Sequence, residues 1–159
     1  MNLYLIRHGD AEPISPTKSD HKRELTPKGK GSIRKAAEGW KKIIKSFDII
    51  AASPLTRAVQ TAEIIVEVFN YKEKVITDKR ITSGAKFEDF KDFIKSFDED
   101  VIAIVGHEPD MSRHLSALVS SSGSYVEFKK GSIAKIKFEG KVRASGGTLE
   151  FLIPSELFK

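Results

Sequence analysis

Short, predominantly apolar segments recur along this chain, and each of them ends where polar residues begin. The segments at 3–6, 48–52 and 101–105 are too short for helices, and they suit strands buried on both faces of a sheet. The last of the three is the clearest, because it is β-branched except for one alanine. The pattern therefore predicts at least three central strands.

The apolar residues after the first strand return at helical spacing. Residues 10–24 form a polar stretch with two prolines, which predicts a loop that is mobile or shaped by a ligand. Thr26 is a good N-cap and Pro27 suits the first helical position, so a helix begins there. Apolar residues at helical spacing continue from this point to Phe47, which predicts one helix with a single buried face.

The pair Ser53 and Pro54 repeats this start signal directly after the second strand. The next helix is therefore expected to begin there, with Arg57 close to its first turn. Free backbone amides and the helix dipole favour an anion at such a position. Apolar spacing predicts a third helix over 87–97, and Pro109 predicts the start of a fourth.

Three further segments complete the predicted sheet. Residues 75–77 suit an edge strand, and 133–138 and 148–153 suit two strands joined by a turn, with one solvated face. Strands that alternate with helices predict an α/β fold of three layers, with a mainly parallel central sheet and helices on both faces. We find no repeat or linker composition, so we expect residues 1–159 to form a single domain.

Composition narrows the functional classes. The 159 residues contain no cysteine, which excludes disulfides, thiolate metal sites and a cysteine nucleophile. The net charge of +5 favours anionic, above all phosphorylated, ligands, but no basic stripe with interleaved aromatic residues indicates nucleic-acid binding. No membrane-crossing or secretory segment is visible, so we expect a cytoplasmic protein. Abundant Lys and Glu, with few Asn, Gln and Met, resemble the composition of proteins from hot environments.

The candidate chemistry lies where the strands end. The first strand leads into Arg7, His8 and Gly9, the second leads to Arg57, and the strand at 101–105 leads to His107. If these strands are parallel neighbours, their carboxyl ends share one crevice, which is where α/β sheets bind ligands. A lone histidine at a strand end is usually a packing residue. The paired histidines and arginines favour a functional site instead.

Two arginines and two histidines are suited to a phosphoryl group. Each guanidinium can hold two phosphoryl oxygens in its planar fork and neutralise their charge. A neutral imidazole nitrogen can attack phosphorus and become phosphorylated, and a second imidazole, if protonated, can donate to an equatorial oxygen in the transition state. These residue types together predict phosphoryl transfer.

Four motifs, at residues 5–12, 23–29, 53–62 and 106–109, resemble the signatures of the histidine phosphatase superfamily, in order and at suitable separations. The short chain and its Arg-His-Gly-Asp-Ala opening resemble the SixA-type phosphohistidine phosphatases most closely. The resemblance implies a fold like that of phosphoglycerate mutases without their large cap insertion. It also implies catalysis without a metal or other cofactor.

The resemblance further implies the roles of the site residues. His8 would be the nucleophile that is phosphorylated, Arg7 and Arg57 would bind phosphate, and His107 would stabilise the transferred group before water hydrolyses the intermediate. Arg23 is an additional candidate for substrate contact. The substrate would be phosphohistidine in a protein, or alternatively a small phosphomonoester such as a sugar phosphate or nucleotide.

One departure from the family pattern concerns the general acid. Many superfamily members carry a carboxylate in the loop after the third strand, where this chain has none at 81–85. An imidazole that leaves from a labile P–N bond needs less proton donation than an alkoxide, which favours phosphohistidine as substrate. Asp10, Glu12 or Glu108 could still supply the proton, and the residues do not decide among them.

Two alternatives remain at this point. A binding module that recognises phosphate or a phosphoprotein without turnover would not need a nucleophile, and a mutase would need a cap over the site. The short loops predict a shallow, open groove, which suits a protein surface better than a small metabolite. The oligomeric state is not indicated by the sequence.

Overall fold

The computed structural model describes all 159 residues, and its elements follow the predicted order. The helices and strands are β1 (Asn2–Arg7), α1 (Pro27–Trp40), β2 (Ile49–Ala52), α2 (Thr56–Phe69), β3 (Ile76–Thr77), α3 (Phe87–Lys95), β4 (Val101–Gly106), α4 (Asp110–Val119), β5 (Ile133–Phe138) and β6 (Gly147–Ile153). Single 3₁₀ turns lie at Asp20–Lys22, Lys79–Ile81 and Ser155–Leu157. None of the helices has the length and apolar character needed to cross a membrane.

All six strands form one mixed sheet in the order β3-β2-β4-β1-β5-β6. The four strands from β3 to β1 are parallel, whereas β5 pairs antiparallel with β1, and β6 pairs antiparallel with β5. The edge position of β3 and the predominantly parallel pairing agree with the prediction. The order places β4 between β2 and β1, so the three strands predicted to carry the site are direct neighbours.

Helices cover both faces of the sheet. Because successive strand residues point to opposite faces, Leu3 and Leu5 of β1 pack on the side of α3 and α4. Tyr4 and Ile6 pack on the opposite side, against α1 and α2. The strands are therefore buried on both faces, which explains their continuous apolar runs and confirms the three-layer α/β prediction.

Helix α1 is shorter than its apolar spacing suggested. It begins at Pro27 and the Thr26 side chain accepts a hydrogen bond from the Gly29 amide at 2.9 Å, as predicted, but it ends at Trp40 rather than near Phe47. The amides of residues 42 and 43 bond three residues back, which tightens the chain into a turn. Phe47 is still buried, because it packs against Tyr4 with the ring centroids 5.3 Å apart. The spacing of apolar residues alone therefore predicted a helix that is longer than the one observed.

The start of α2 also differs from the prediction. The helix begins at Thr56, with Leu55 as its N-cap, so Ser53 is not the N-cap and Pro54 is not the first helical residue. Sheet pairing holds Ser53 in place, because its amide donates to the Val105 carbonyl at 3.0 Å. Its hydroxyl accepts from the Leu55 amide at 3.3 Å instead. Arg57 nevertheless lies in the first turn of α2, as predicted.

The loop after β1 packs unusually closely on α1. A Cβ atom at Gly29 would lie 2.1 Å from the carbonyl oxygen of Asp10, and one at Gly9 would lie 2.7 Å from a side-chain carbon of Ile33. Gly9 has no positive φ angle. Gly9 is therefore required by the close packing on α1 and not by a backbone conformation that only glycine adopts.

This contact leads to a stability prediction. The variant Gly29→Ala should lower the free energy of unfolding by about 2 kcal/mol, because the new methyl group clashes with backbone rather than with a flexible side chain. Gly31→Ala is the matched control in the same helix, because a Cβ atom at Gly31 would have no neighbour within 4 Å. That variant should raise the free energy of unfolding by about 0.5 kcal/mol, since alanine favours the helix. Urea unfolding measures both, and equal stability of the two variants would contradict the close approach.

Candidate active site

Three adjacent strand ends assemble the candidate site. Arg7, the last residue of β1, pairs with Gly106, the last residue of β4, and the His8 amide donates to the Gly106 carbonyl at 3.1 Å. His8 and His107 therefore leave neighbouring strands at the same level. Their ring centroids are 5.1 Å apart. The parallel arrangement thus brings together the two histidines that lie 99 residues apart in the sequence.

Hydrogen bonds define the tautomer of His8. Its Nδ1 lies 2.7 Å from the carbonyl oxygen of Gly9. A carbonyl can only accept, so Nδ1 carries the proton and donates. The other ring nitrogen, Nε2, accepts from the Arg57 Nε at 3.3 Å. A neutral His8 therefore carries its lone pair on Nε2, which faces the guanidinium of Arg57. An imidazole nitrogen needs such a lone pair to attack phosphorus.

The surroundings of His8 keep it neutral. Its pKa is lowered to about 4, chiefly because burial disfavours the charged ring. The positive charges of Arg57, Arg7 and Arg23 act in the same direction, whereas the bond to the Gly9 carbonyl opposes them. At neutral pH the His8 ring is therefore uncharged, and its Nε2 carries a lone pair.

His107 lies beside His8 with both ring nitrogens buried and without a protein partner. Its pKa is lowered to about 3, first by burial and then by the neighbouring His8 and Arg57. Buried polar groups normally find partners, so two unpaired ring nitrogens at one site indicate a place for a polar ligand. The neutral ring still has one N–H group that can donate to a bound oxygen.

Arg57 is buried and reaches from α2 across to His8. Besides the contact with His8, its Nη1 donates to the carbonyl of Asp20 at 2.9 Å, and its Nη2 lies 3.3 Å from the Asp20 carboxylate. The guanidinium is thus held from two sides. Its orientation is set before any anion binds.

Arg7 approaches the same place from the end of β1. Its Nη1 donates to the Phe128 carbonyl at 2.9 Å, whereas its buried Nε has no partner. Burial lowers the pKa of Arg7, and the Glu108 carboxylate opposes this shift. Arg7 and Glu108 also line a groove of about 620 Å³ together with residues 125–129. The N–H groups of Nε and Nη2, which form one edge of the guanidinium, therefore remain for an anion next to a surface groove.

Asp20 is a member of this cluster that the sequence did not single out. Its carboxylate pairs with Arg23, with 2.7 Å between Asp20 Oδ1 and Arg23 Nη1, in addition to Arg57. Arg23, the candidate for substrate contact, also donates from Nε to the Glu12 carbonyl at 2.7 Å. The loop at 10–24 is thus ordered by its own hydrogen bonds. No sequence signal marks Asp20, because it stands in an irregular polar stretch.

The three carboxylates considered as proton donors have other partners. Asp10 binds Lys130 at 2.7 Å and Thr26 at 2.9 Å, and these contacts lower its pKa. The hydrogen bond from the Glu24 amide, together with the contact with Lys18 at 2.6 Å, lowers the pKa of Glu12. Glu108 accepts from the amide and hydroxyl of Ser112 at 2.8 and 2.7 Å. Glu108 lies beside Arg7, which is predicted to bind phosphate, and the two residues line the same groove.

A small scaffold fixes the backbone around the site. The Gly9 amide donates to the Thr61 hydroxyl at 3.2 Å, and that hydroxyl donates to the Arg57 carbonyl at 2.8 Å. Thr61 therefore ties the loop that carries His8 to the helix that carries Arg57.

No three histidine or carboxylate side chains lie close enough together to share a metal ion. The assembled groups are suited to hold a tetrahedral oxyanion next to a nucleophilic nitrogen.

The first half of the chain matches a known protein family. The family model of the histidine phosphatase superfamily (branch 1) matches residues 3–83. This range includes β1, the 10–24 loop and α2, and therefore His8 and Arg57. An uncharacterized protein of Picosynechococcus sp. (strain ATCC 27264 / PCC 7002 / PR-6) is 27% identical over 140 residues, covering 86% of this chain and 85% of that protein.

Solved structures share the whole fold. The protein histidine phosphatase SixA complexed with tungstate superposes with a TM-score of 0.88 at 22% identity, and each chain is covered completely. A protein of Agrobacterium tumefaciens that carries the name phosphohistidine phosphatase SixA gives 0.82 at 20% identity, covering 96% of this chain and 97% of that one. A phosphoserine phosphatase from Entamoeba histolytica in complex with phosphoserine gives 0.71 at 18% identity, covering 98% of both.

Proposed function

This chain belongs to the histidine phosphatase superfamily, and on that premise we propose that it is a metal-independent phosphatase that removes phosphate from phosphohistidine in a protein. The observation that carries the proposal is the state of His8. Its Nδ1 donates to the Gly9 carbonyl, and its Nε2 lone pair faces the guanidinium of Arg57 at 3.3 Å. A buried neutral imidazole beside two arginines is arranged to accept a phosphoryl group.

In the proposed reaction, Nε2 of His8 attacks phosphorus, the bond to the leaving group breaks, and its electron pair departs with that group. Arg7 and Arg57 hold the equatorial oxygens and neutralise their charge, and His107 donates a ring N–H to one of them. Water then attacks the phosphorus of phosphorylated His8, and the P–N bond to His8 breaks. Orthophosphate is released and His8 is restored.

Two features support phosphohistidine as the substrate. Asp10 and Glu12 are ionised in pairs with lysines, Asp78 directly after β3 is paired with Arg80, and 81–85 has no carboxylate. Of the candidate proton donors for an alkoxide, only Glu108 is therefore free of an ion pair. The second feature is the groove beside Arg7, which is bordered by the fully exposed Tyr125. A surface groove of this kind suits a residue presented by another protein.

A small phosphomonoester is the second candidate substrate. It is favoured by the structural similarity to the phosphoserine phosphatase and to a mycobacterial glucosyl-3-phosphoglycerate phosphatase, which superposes with a TM-score of 0.72. Both names refer to small phosphorylated metabolites. These similarities show that the fold is shared. The scarcity of carboxylates that can protonate an alkoxide argues against a monoester substrate, whose leaving group is an alkoxide.

A substrate panel tests the proposal. We expect kcat/KM for a histidine-phosphorylated protein to exceed that for phosphoserine, 3-phosphoglycerate and a nucleoside monophosphate by about 100-fold or more. The assay follows orthophosphate release, with an enzyme-free control for spontaneous P–N hydrolysis, and EDTA should leave the rate unchanged. A preference for any of the small monoesters would overturn the substrate assignment, and a requirement for added metal would overturn the metal-independent mechanism.

A further inference from the structure

Asp20 places a carboxylate at the opening of the candidate site. It lies in the 3₁₀ turn Asp20–Lys22, and its side chain is 54% exposed, whereas the Arg57 side chain that it contacts is 6% exposed. The negative charge of Asp20 also opposes the lowering of the pKa of His107. The carboxylate thus lies at the exposed edge of the Arg57 guanidinium, near enough to His107 to act on its charge.

The contact with Arg57 occupies the edge that an anion would use. The Nε and Nη2 groups form one fork of a guanidinium, the arrangement that binds two oxygens in parallel. In this structure Nε faces His8 Nε2 at 3.3 Å and Nη2 faces Asp20 Oδ2 at 3.3 Å. A phosphoryl oxygen bound by this fork next to His8 therefore lies beside the Asp20 carboxylate.

Asp20 is charged at neutral pH. Its hydrogen bond from Arg23 is the largest cause of a lowered pKa, and the charge of Arg57 acts in the same direction. An ionised carboxylate cannot donate a proton to a leaving group. Its effect on a substrate is therefore electrostatic: it repels negative charge and attracts positive charge at the opening.

Resting on the proposed function, we propose that Asp20 is a specificity-determining residue that selects phosphoryl groups carried by a cationic imidazole ring over dianionic phosphate monoesters. The leaving group stands on the solvent side of the phosphorus, because His8 attacks from the buried side. Asp20 contacts Arg57 from the solvent-exposed side, since its own side chain is 54% exposed and that of Arg57 is 6% exposed. The phosphoryl oxygens of both substrate classes are repelled by the carboxylate, but only a protonated ring brings a positive charge that the carboxylate attracts. Orthophosphate has no such charge to offset the repulsion.

The reaction balances without a proton from Asp20. A phosphorylated imidazole ring that is protonated on its free nitrogen already carries the proton that the leaving group needs. When the P–N bond breaks, its electron pair returns to the ring, which leaves as neutral imidazole, and phosphorus is bonded to His8 Nε2. Asp20 keeps the ring protonated until transfer, and it stays ionised throughout.

The test compares two small substrates that differ in the charge of the leaving group. Phosphoimidazole carries a ring that can be protonated, and p-nitrophenyl phosphate carries none and needs no proton to leave. In Asp20→Asn we expect the ratio of kcat/KM for phosphoimidazole to kcat/KM for p-nitrophenyl phosphate to fall about tenfold. Orthophosphate should inhibit this variant at about fivefold lower concentration, because its charge is no longer repelled.

Glu24→Gln is the matched control. It removes one negative charge from the same loop, but Glu24 contacts Lys18 and Gln60 rather than Arg57. Its substrate ratio and phosphate inhibition should equal those of the unmodified protein. A comparable change in Glu24→Gln would reduce the Asp20 effect to overall charge and overturn the inference.

The outcomes separate this inference from the proposed function. If the unmodified protein hydrolyses neither substrate, the proposed function fails. If it hydrolyses both and Asp20→Asn leaves the ratio and the phosphate inhibition unchanged, only the role of Asp20 fails. An equal loss on both substrates would also overturn that role, since it would identify Asp20 as a support for Arg57. Asp20→Glu keeps the charge and should restore most of the ratio.

Discussion

Replacing His8 with alanine should reduce turnover by about 10⁴-fold or more, because the variant lacks the atom that accepts the phosphoryl group. No nearby group can substitute for it. The ring of His107 is 5.1 Å away between centroids and leaves a different strand. The chain has no cysteine, and the site carboxylates are held in ion pairs with lysine or arginine or in hydrogen bonds to serine.

The intermediate gives an independent readout of the same prediction. A short incubation with a ³²P-labelled phosphohistidine protein, quenched in alkali, should leave acid-labile label on a peptide that contains His8. The alanine variant should carry no label. Stable label on another residue, or turnover in His8→Ala above a few per cent of the original rate, would contradict the assignment.

His114 provides the control for this experiment. It is also a buried histidine with a lowered pKa of about 4, but it stacks on Phe90 with ring centroids 4.1 Å apart, in the layer of α3 and α4. His114→Leu should retain the activity within about twofold, since it removes only a packing contact. Circular dichroism of both variants separates loss of chemistry from loss of fold.

Replacing Arg57 with lysine should lower kcat/KM by about 100-fold, and replacing it with alanine by about 1,000-fold. Lysine keeps the positive charge, but it is a point charge without a planar fork. It cannot contact His8 Nε2 and bind the phosphoryl oxygens along one edge. The greater part of the loss should appear in kcat, because the negative charge on these oxygens is stabilised most strongly in the transition state.

Arg34 is the matched control for Arg57. It lies on α1, and its exposed guanidinium pairs with Glu67 of α2. Arg34→Lys should leave kcat and KM unchanged, since exposed ion pairs contribute little. An Arg57→Lys variant within threefold of the original kcat/KM would show that the guanidinium fork is not needed, and the phosphate-binding role would then be wrong.

Much of the fold was predictable because its strands are buried on both faces. Continuous apolar runs at 3–6 and 101–105 can hardly be placed elsewhere, and the Thr26 and Pro27 start signal was confirmed in detail. The predictions were less accurate at helix ends. Phe47 is buried like a helical core residue but packs from a loop, and Ser53 is held by sheet pairing instead of capping a helix.

The candidate site, like the fold, was predictable in its local features but not in its long-range contacts. The four candidate residues are recognisable from their positions relative to predicted strands. Arg7, His8 and His107 lie at a strand end, and Arg57 lies in the first turn of the helix that follows a strand. Whether they converge depends on β4 lying between β1 and β2, which is a matter of strand order. Their chemical roles remain predictions until the variants are measured.

The sequence by itself determined the α/β architecture and singled out the candidate site residues, because burial and strand ends leave periodic, local patterns. Only the tertiary structure decided which tautomer His8 adopts and that Asp20 reaches Arg57, 37 residues away. Such contacts depend on how an irregular loop packs against a distant helix. No local pattern of apolar and polar residues encodes that packing, so it becomes visible only when the chain is folded.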